Sequence, residues 1–334
     1  MSRFNQVTVL GAGRWGTAMA IYLSRQAGVS VRLQCHLESE FQSIQDHQKA
    51  PNLPNFSTEG KVSPVIELDQ SVEGADLVVI STPVAFLRGQ LERLQLPTST
   101  VIVTINKGIE RASLKTVPEV VAEYFPQNPL AHLGGPCFPE GLLSEISPAA
   151  ETIACEDEAL GKDLQELFAS KGFRVYLSSE LKGVALLGAL KNIYAIMAGI
   201  SDGMGMFEEA TATLVTRALP EMKRFCDALS IPPETVYGLS GLGDLALTCY
   251  STKSSHNKNF GRRLGQGETI EEILADMKGE IAEGYYTTQA AFDLSRKLKL
   301  EMPICQAAYS IIYQGQSPAQ ALSELMARPL KIED

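Results

Sequence analysis

The stretch that decides the fold is VTVLGAGRWGTAMAIYL, residues 7–23. A run of apolar and β-branched residues leads into glycines at positions 11, 13 and 16, and a helical pattern follows them. In a strand-turn-helix of this kind, Gly11 makes the tight turn, Gly13 lets the backbone approach a pyrophosphate, and Gly16 lets the helix pack closely on the strand. The N-terminus of the helix then faces the phosphates. The pattern predicts a dinucleotide-binding unit at this end of the chain.

Strand and helix patterns alternate from this stretch to about residue 178. The predicted strands are 7–10, 29–34, 77–82, 100–105, 130–133, 152–155 and 174–177. The predicted helices between them are 17–26, 39–48, 85–94, 114–124 and 158–170. Such alternation predicts a doubly wound α/β domain of the Rossmann kind, in which helices cover both faces of a parallel sheet.

The remainder of the chain is predicted to be all helical. The expected helices are 180–199, 210–228, 233–237, 260–265, 270–277, 288–298, 304–313 and 318–326. Helical and strand patterns therefore divide the chain into residues 1–182, a dinucleotide-binding domain, and residues 183–334, a helical substrate-binding domain.

Composition excludes several classes of protein. The 334 residues carry a formal net charge of -10, which would repel nucleic acids and anionic membranes, so we expect neither as a partner. The six cysteines are scattered without a CxxC pair or a metal-ligand spacing, which predicts reduced thiols, a cytoplasmic protein and no metal site. The first residues do not read as a signal peptide.

One apolar stretch, residues 183–200, is long enough to suggest a membrane span. Lys191 and Asn192 lie at its centre, where a charge is costly in lipid, so we interpret it as a buried helix of a soluble protein. A lysine in such a helix must be paired or face a polar cleft. Burial also favours the neutral amine, which suits Lys191 to proton exchange with a substrate oxygen.

The end of the second strand bears on the choice of dinucleotide. NAD sites place an acidic residue there, whereas this chain has Gln34, Cys35 and His36. With no carboxylate to repel a 2′-phosphate, and with His36 and Arg14 nearby, the sequence favours NADP(H) over NAD. The alternative is that Glu38 reaches back to the strand end and NAD binds.

Further candidate residues follow the later strands or lie among the helices. Lys107 and the loop 134–140 are expected at the carboxyl ends of strands, where ligands collect. Asp244 lies in a Gly-rich turn and could pair with a catalytic lysine, and the run from Ser255 to Asn257 offers hydrogen-bond donors to an anion. Taken singly, Lys107 could equally be a solvated lysine, and Asp244 could simply cap a turn.

Together these segments resemble the bacterial type of the NAD(P)-dependent glycerol-3-phosphate dehydrogenase family. The segments are GAGRWGTAMA (11–20), KGIE (107–110), GGPCFPE (134–140), LKNIYAIMAGISDG (190–203), GLGDLALTC (241–249) and AEGYYTT (282–288). The resemblance implies a Rossmann domain followed by a helical domain of the 6-phosphogluconate dehydrogenase type. It also implies reversible hydride transfer between NAD(P)H and dihydroxyacetone phosphate, giving sn-glycerol 3-phosphate for phospholipid synthesis. The oligomeric state stays open, although helical domains of this type commonly pair as homodimers.

The resemblance also implies roles for individual residues. Lys191 matches the proton-transferring lysine, Lys107 a second, substrate-orienting lysine, and Asp244 the aspartate of the GLGDL motif. The implied cofactor-binding residues are Gly11, Gly13, Arg14, Trp15, Gly16, His36, Lys107, Pro139, Ile281 and Glu283. The implied substrate-binding residues are Lys107, Gly135, Cys137, Lys191, Asn192, Asp244, Ser255, His256 and Asn257.

Four positions depart from the family pattern. Cys137 and Pro139 replace a serine and an alanine of one loop, and Glu209 stands where asparagine is usual. His256 replaces the arginine of a phosphate-binding Ser-Arg-Asn, in a loop that is one residue longer. Two alternative functions therefore stay open: a related dehydrogenase acting on another hydroxyacid or phosphorylated ketone, and a non-catalytic NADPH-binding paralogue.

Overall fold

The computed structural model describes residues 3–144, 146–252, 255–277, 282–330 and 332. The chain forms two compact units. The first comprises residues 1–107 and 116–185, and the second comprises residues 108–115 and 186–334. The short segment 108–115, although it follows a strand of the first unit, therefore belongs to the helical unit.

The first unit contains an eight-stranded sheet in the order β3-β2-β1-β4-β5-β6-β7-β8. Its strands are β1 (Gln6–Leu10), β2 (Ser30–Gln34), β3 (Val62–Val65), β4 (Leu77–Ile80), β5 (Val101–Thr104), β6 (Leu130–Gly134), β7 (Ala149–Cys155) and β8 (Phe173–Ser178). All neighbouring strands are parallel except β6 and β7. The predicted doubly wound sheet is confirmed, with one antiparallel pair.

Two strands differ from the sequence prediction. β3 was not predicted, because Pro64 interrupts its apolar pattern, yet it pairs with β2 at the edge of the sheet, where a proline is tolerated. β7 was predicted within a parallel sheet but runs antiparallel to β6. Strand direction depends on the connection between strands, which local periodicity does not report.

Helices cover both faces of the sheet. The helices of this unit are α1 (Arg14–Ser24), α2 (Glu38–His47), α3 (Leu68–Val72), α4 (Val84–Leu91), α5 (Val117–Tyr124), α6 (Pro139–Leu142) and α7 (Glu158–Phe168). Buried residues of α1, α6 and α7 form one core with the sheet, and those of α3, α4 and α5 form a second core. The sheet lies between these two cores, as in doubly wound proteins.

The second unit is built from helices. They are α8 (Leu181–Gly203), whose first residues belong to the first unit, α9 (Glu208–Ala228), α10 (Asp244–Tyr250), α11 (His256–Gly265), α12 (Ile270–Asp276), α13 (Glu283–Lys297), α14 (Pro303–Gln314) and α15 (Pro318–Met326). A 3₁₀ turn (Pro233–Tyr237) and a π-helical turn (Leu239–Gly243) precede α10. Helix α10 was not predicted, and α11 and α13 begin earlier than predicted, because their polar first turns hide the helical period.

Helix α8 is the apolar segment that raised the question of a membrane span. By length and composition it could cross a bilayer, but its apolar window lies wholly inside the core of the protein. Core helices of folded proteins pass the same test, so this helix is weak support for a span. The prediction of a buried helix is confirmed.

Helices α8 and α11 cross at unusually short range. A Cβ atom at Gly199 of α8 would lie 2.0 Å from the carbonyl oxygen of Lys258, and one at Gly261 of α11 would lie 1.9 Å from that of Ile196. Side chains at these positions would force the helices apart. The glycines thereby bring the N-terminus of α11 close to the middle of α8.

Candidate active site

The first part of the candidate site is the turn between β1 and α1. Gly11 has a φ of +102°, a conformation that residues with a Cβ rarely adopt. A Cβ at Gly16 would lie 2.0 Å from the Gly11 carbonyl oxygen, so only glycine lets α1 pack this closely on the turn. These are the backbone positions at which a dinucleotide fingerprint needs glycine.

The same turn has room and hydrogen-bonding capacity for a pyrophosphate. A Cβ at Gly13 would meet no atom within 4 Å, so the space beside this backbone is open. The N-cap of α1 is Gly13, which has no side chain to cap the helix, so the amide groups and the dipole of α1 can attract an anion. The buried indole nitrogen of Trp15 also has no hydrogen-bond partner within the described residues. These residues fit a bound NAD(P).

At the end of β2 the structure modifies the sequence prediction. Glu38 does not turn back, since its carboxylate accepts a hydrogen bond from Gln42 within α2 at 2.9 Å. Glu40 does turn back toward the strand end, because its Oε2 atom accepts from the backbone N–H groups of His36 and Leu37, each at 3.2 Å. The expectation that no carboxylate lies at this strand end is therefore wrong. His36, which is exposed, follows this strand end by two residues.

Lys107 lies beyond the carboxyl end of β5 and contacts the loop that follows the neighbouring strand, β6. Its Nζ atom donates to the carbonyl oxygen of Gly135 at 2.9 Å, in the loop that follows β6. The backbone N–H of Cys137 donates to the same oxygen at 3.0 Å. Lys107 is thus partly buried and ordered at the edge where ligands collect, as the sequence predicts.

The loop after β6 also meets the glycine turn. Arg14 of that turn forms an ion pair with Glu140, in the short helix α6 that Pro139 begins. Arg14 was expected beside a 2′-phosphate, and in this structure its guanidinium pairs with the carboxylate of Glu140. The ion pair joins two of the predicted cofactor-binding segments.

His132 on β6 is a titratable group close to Lys107. It is fully enclosed, and its Nδ1 lies 2.8 Å from the hydroxyl of Thr104. Burial, reinforced by the charge of Lys107, lowers the pKa of His132 to about 3. His132 is therefore neutral at physiological pH.

In the helical unit, Lys191 of α8 lies in a buried polar cluster. Its Nζ is 3.0 Å from Oδ1 of Asp244 and 2.7 Å from the hydroxyl of Thr248. Asp244 and Thr248 are one turn apart on α10, and the Thr248 hydroxyl donates to the carbonyl oxygen of Asp244 at 2.7 Å. The pairing of Asp244 with a lysine, which the sequence suggests, is present; the catalytic roles stay predictions.

Thr248 is a residue that the sequence reasoning missed. The signal was available, because Thr248 follows Asp244 by four residues and so lies on the same face of a helix. The Gly-rich pattern around Asp244 predicts a turn rather than a helix, so it does not single out Thr248. The Thr248 hydroxyl is, with the carboxylate of Asp244, a group that holds the Lys191 ammonium.

Next to Lys191, Asn192 takes part in a hydrogen-bonded chain. Asn257 at the start of α11 donates from Nδ2 to Oδ1 of Asn192 at 2.9 Å, and its own Oδ1 accepts from the backbone N–H of Gly284 at 2.8 Å. Asn257 therefore joins α8, α11 and the first turn of α13. A Cβ at Gly284 would lie 2.8 Å from the backbone carbonyl oxygen of Asn192, which requires glycine there.

The run expected to bind a phosphate forms the beginning of α11. Ser255 is the N-cap, and its hydroxyl accepts from the backbone N–H of Lys258 at 3.1 Å. His256 and Asn257 form the first turn, where helix geometry favours anions. Lys258 is nearly buried, and its Nζ forms an ion pair with Asp202 of α8 at 2.8 Å.

The remaining predicted residues are placed as follows. Glu283 is the first residue of α13, and Glu209 lies in the first turn of α9. Cys137 is buried, and Gly135 packs so tightly that a Cβ would lie 2.8 Å from Cα of Glu151. Ile281, predicted as a cofactor contact, lies outside the described residues. Among the residues described, there is no group of three or more candidate metal ligands.

Comparison with family models gives matches to both halves of the chain. Residues 6–161 match the model of the NAD-dependent glycerol-3-phosphate dehydrogenase N-terminus, and residues 180–323 match that of the C-terminus. Together the two matches span most of both units.

Individual proteins give the same result. The chain is 39% identical to a glycerol-3-phosphate dehydrogenase [NAD(P)+] of Syntrophotalea carbinolica, over 98% of this chain and 99% of the other. It is 40% identical to the Caulobacter vibrioides protein of the same description, over 99% of each chain. The crystal structure of glycerol-3-phosphate dehydrogenase from Coxiella burnetii is similar with a TM-score of 0.92 at 33% identity, covering 98% of this chain and 100% of that one.

Proposed function

Because the chain belongs to the NAD-dependent glycerol-3-phosphate dehydrogenase family, we propose that it interconverts dihydroxyacetone phosphate and sn-glycerol 3-phosphate with NAD(P)(H). The observation that carries this proposal is identity of 39–40% to enzymes of that description over nearly the full length of both chains. The protein is an oxidoreductase, and its product is a precursor for phospholipid synthesis.

The first unit holds the dinucleotide. The open backbone at Gly13 and the uncapped N-terminus of α1 receive the pyrophosphate, and His36 at the end of β2 interacts with the 2′-phosphate of NADP. The carboxylate of Glu40 at the same strand end is compatible with the ribose hydroxyls of NAD. We therefore propose that both dinucleotides bind and that NADPH is preferred.

When bound, NAD(P)H supplies the hydride that adds to the keto carbon of dihydroxyacetone phosphate. As the C=O bond becomes a C–O single bond, Lys191 donates a proton from Nζ to the oxygen, which leaves a secondary alcohol and a neutral amine. Lys107 stabilises negative charge developing on that oxygen. In the reverse direction, the neutral amine of Lys191 accepts the hydroxyl proton.

Asp244 and Thr248 prepare Lys191 for this role. The carboxylate, 3.0 Å from Nζ, favours the charged ammonium in a buried position, and the hydroxyl, 2.7 Å from Nζ, fixes its direction. Both partners lie on one short helix, so the ammonium is held before substrate arrives. Such preorganisation reduces the reorganisation that proton transfer would otherwise require.

The phosphate of the substrate is assigned to the beginning of α11. His256 and the amide groups of the first turn there supply donors, and the helix dipole favours a negative charge. Asn257, already joined to Asn192 and Gly284, fixes this turn against α8 and α13. Histidine replaces arginine in this chain, so the charge of the site depends on pH.

Steady-state kinetics test the proposal most directly. We expect oxidation of NADPH on addition of dihydroxyacetone phosphate, with slower oxidation of NADH. Turnover only with other phosphorylated ketones or hydroxyacids would identify a related dehydrogenase. Binding of NADPH, seen by fluorescence, with no turnover of any of these substrates would identify a non-catalytic nucleotide-binding protein.

Two further parts of the proposal concern the setting of the enzyme. The six cysteines are all buried thiols, in keeping with a reducing compartment, and we place the protein in the cytoplasm. We also propose a homodimer, the assembly common among helical domains of this type. Light scattering of the purified protein measures the oligomeric state, and a monomer at micromolar concentration would contradict the dimer.

A further inference from the structure

The side-chain amide of Asn106 donates a hydrogen bond through its nitrogen but accepts none through its oxygen from the described residues. Asn106 lies between the end of β5 and Lys107, with 9% of its surface exposed. Its nitrogen Nδ2 donates to the backbone carbonyl oxygen of Thr82, just beyond the end of β4. A carbonyl oxygen can only accept, so this bond fixes which end of the amide faces Thr82. The other end, Oδ1, is buried and accepts no hydrogen bond from any described residue.

A buried acceptor without a hydrogen bond, such as Oδ1 of Asn106, is uncommon in a folded protein. Buried polar atoms of native proteins are nearly always hydrogen-bonded, and those that are not cost stability. Asn106 lies at the carboxyl edge of the sheet, where ligands of doubly wound proteins bind. A donor carried by a ligand would satisfy Oδ1 without any other change in the fold.

The order of the strands indicates which part of a ligand lies there. A bound dinucleotide has its pyrophosphate at the turn after β1 and its adenosine ribose at the end of β2. The nicotinamide half must therefore extend to the other side of β1, toward β4 and β5. Thr82 lies on that side, and its backbone nitrogen would be 3.3 Å from a Cβ built on Gly11.

Asn106 therefore contacts Thr82, which lies next to the glycine turn. Asn106 follows β5, one strand farther from β1 than Thr82, in the direction in which the nicotinamide extends. We propose that Oδ1 of Asn106 accepts a hydrogen bond from the nicotinamide half of bound NAD(P)H, which carries N–H donors on its carboxamide and O–H donors on its ribose. The inference rests on the proposed function. It makes Asn106 a cofactor-binding residue of the first unit.

Binding measurements separate this role from a structural one. The dissociation constants of NADPH and of adenosine 2′,5′-bisphosphate, which lacks the nicotinamide nucleoside, are measured by calorimetry for the wild-type protein and for Asn106→Ala. We expect the Kd of NADPH to rise about tenfold, as for loss of one hydrogen bond to a buried acceptor. The Kd of the bisphosphate should stay within twofold. Adenosine 2′-phospho-5′-diphosphoribose, which lacks only the base, distinguishes a bond to the ribose from one to the carboxamide.

Asn128 offers a matched control. It lies two residues before β6, at the amino end of that strand. Its Nδ2 donates to the carbonyl oxygens of Pro97 and Thr100, at 2.7 and 2.9 Å. Asn128→Ala should leave both dissociation constants unchanged. Asn106→Ser, which keeps a small polar side chain, is measured beside Asn106→Ala in case the alanine variant does not fold, and the same selective loss is expected.

Two results would overturn the inference. An unchanged Kd of NADPH would show that Asn106 does not contact the dinucleotide, even if the KM of dihydroxyacetone phosphate changed. An equal loss for NADPH and the bisphosphate would show that Asn106 acts only by supporting Thr82 and the glycine turn. Failure of the wild-type protein to bind NADPH would instead count against the proposed function, so the two failures are distinguishable.

Discussion

The ammonium of Lys191 lies 3.0 Å from the carboxylate of Asp244, and 7% and 2% of these two side chains are exposed. A buried ion pair gains little stability over well-packed apolar residues, and loss of one partner leaves a costly unpaired charge. Such a pair is therefore better explained by chemistry than by stability.

Replacement of Lys191 by methionine should lower turnover about 100-fold to 10,000-fold, the contribution typical of a general acid. The Kd of NADPH should not change, because Lys191 is assigned to the substrate oxygen, whereas the glycine turn of the first unit holds the pyrophosphate of the dinucleotide. Steady-state kinetics and fluorescence titration measure the two quantities. Asp244→Asn combined with Lys191→Met removes both charges and controls for misfolding. Lys223→Ala, which removes an exposed ion pair, should leave turnover and the Kd of NADPH unchanged. Full turnover in Lys191→Met would show that Lys191 takes no part in the mechanism.

Replacement of Thr248 by valine should lower kcat about tenfold, because one hydrogen bond to the Lys191 ammonium is lost. The alkaline limb of the kcat–pH profile should also move to lower pH, since the ammonium has lost a group that stabilises its charged form. Thr248→Ser keeps the hydroxyl and should restore both quantities. A valine variant with an unaltered pH profile would assign Thr248 to packing alone.

His36 is expected to determine the preference for NADPH. His36→Asp places a carboxylate against the 2′-phosphate and beside the ribose hydroxyls, so it should reverse the preference by roughly tenfold or more in kcat/KM. Glu38→Gln should leave the preference unchanged, because Glu38 is bonded within α2. Comparison of kcat/KM for NADPH and NADH gives the answer. A wild-type protein that already favours NADH would show that Glu40 outweighs His36 at this strand end.

The pH dependence of substrate binding should report His256. Imidazole is charged only below its ordinary pKa of about 6.5, and a bound phosphate dianion favours that charged form. The KM of dihydroxyacetone phosphate should therefore rise from pH 6 to about pH 8.5. His256→Arg should flatten the rise and lower KM at alkaline pH, since a guanidinium stays charged and grips phosphate with two bonds. Identical KM values for both proteins across this range would place the phosphate elsewhere, with Lys258 the next residue to test.

Glu221 should make stability depend on pH. Its carboxylate is buried and accepts from the backbone N–H groups of Ile304 and Cys305, at 2.6 and 3.2 Å, and from the Tyr194 hydroxyl at 3.3 Å. Burial raises its pKa to about 7, despite those hydrogen bonds and the charge of Arg224. The folded state therefore keeps a proton that the unfolded state loses above about pH 4.5, its ordinary pKa.

The contribution of Glu221 to the free energy of unfolding should accordingly fall, by on the order of 3 kcal/mol, as pH rises from about 4.5 to about 7. Above pH 7 it should stay constant. Glu221→Gln is neutral throughout, so the difference in unfolding midpoint between it and the wild-type protein isolates this effect in urea titrations at a series of pH values. A difference that is the same at every pH would contradict it.

Local sequence determined the elements and the dinucleotide turn. Apolar β-branched runs and helical periods predicted seven of the eight strands in the described sheet and the change to helices near residue 180. The glycines at 11, 13 and 16 predicted their own turn, because that signal lies within a few adjacent residues. Lys191, Lys107 and Asp244 are candidates from their positions in the sequence alone, and the family resemblance implies their roles.

Only the tertiary structure decided which candidates meet. Thr248 of α10 approaches Lys191 across 57 residues of sequence. Asn257 approaches Asn192 across 65 residues, at the crossing of α8 and α11 that Gly199 and Gly261 permit. Three further features could not be predicted from the sequence. They are the antiparallel direction of β7, the hydrogen bonds of Glu40 at the end of β2, and the oxygen of Asn106 that has no hydrogen-bond partner among the described residues. Periodicity and propensity describe neighbours along the chain, whereas these relationships arise from packing and hydrogen bonds between distant segments.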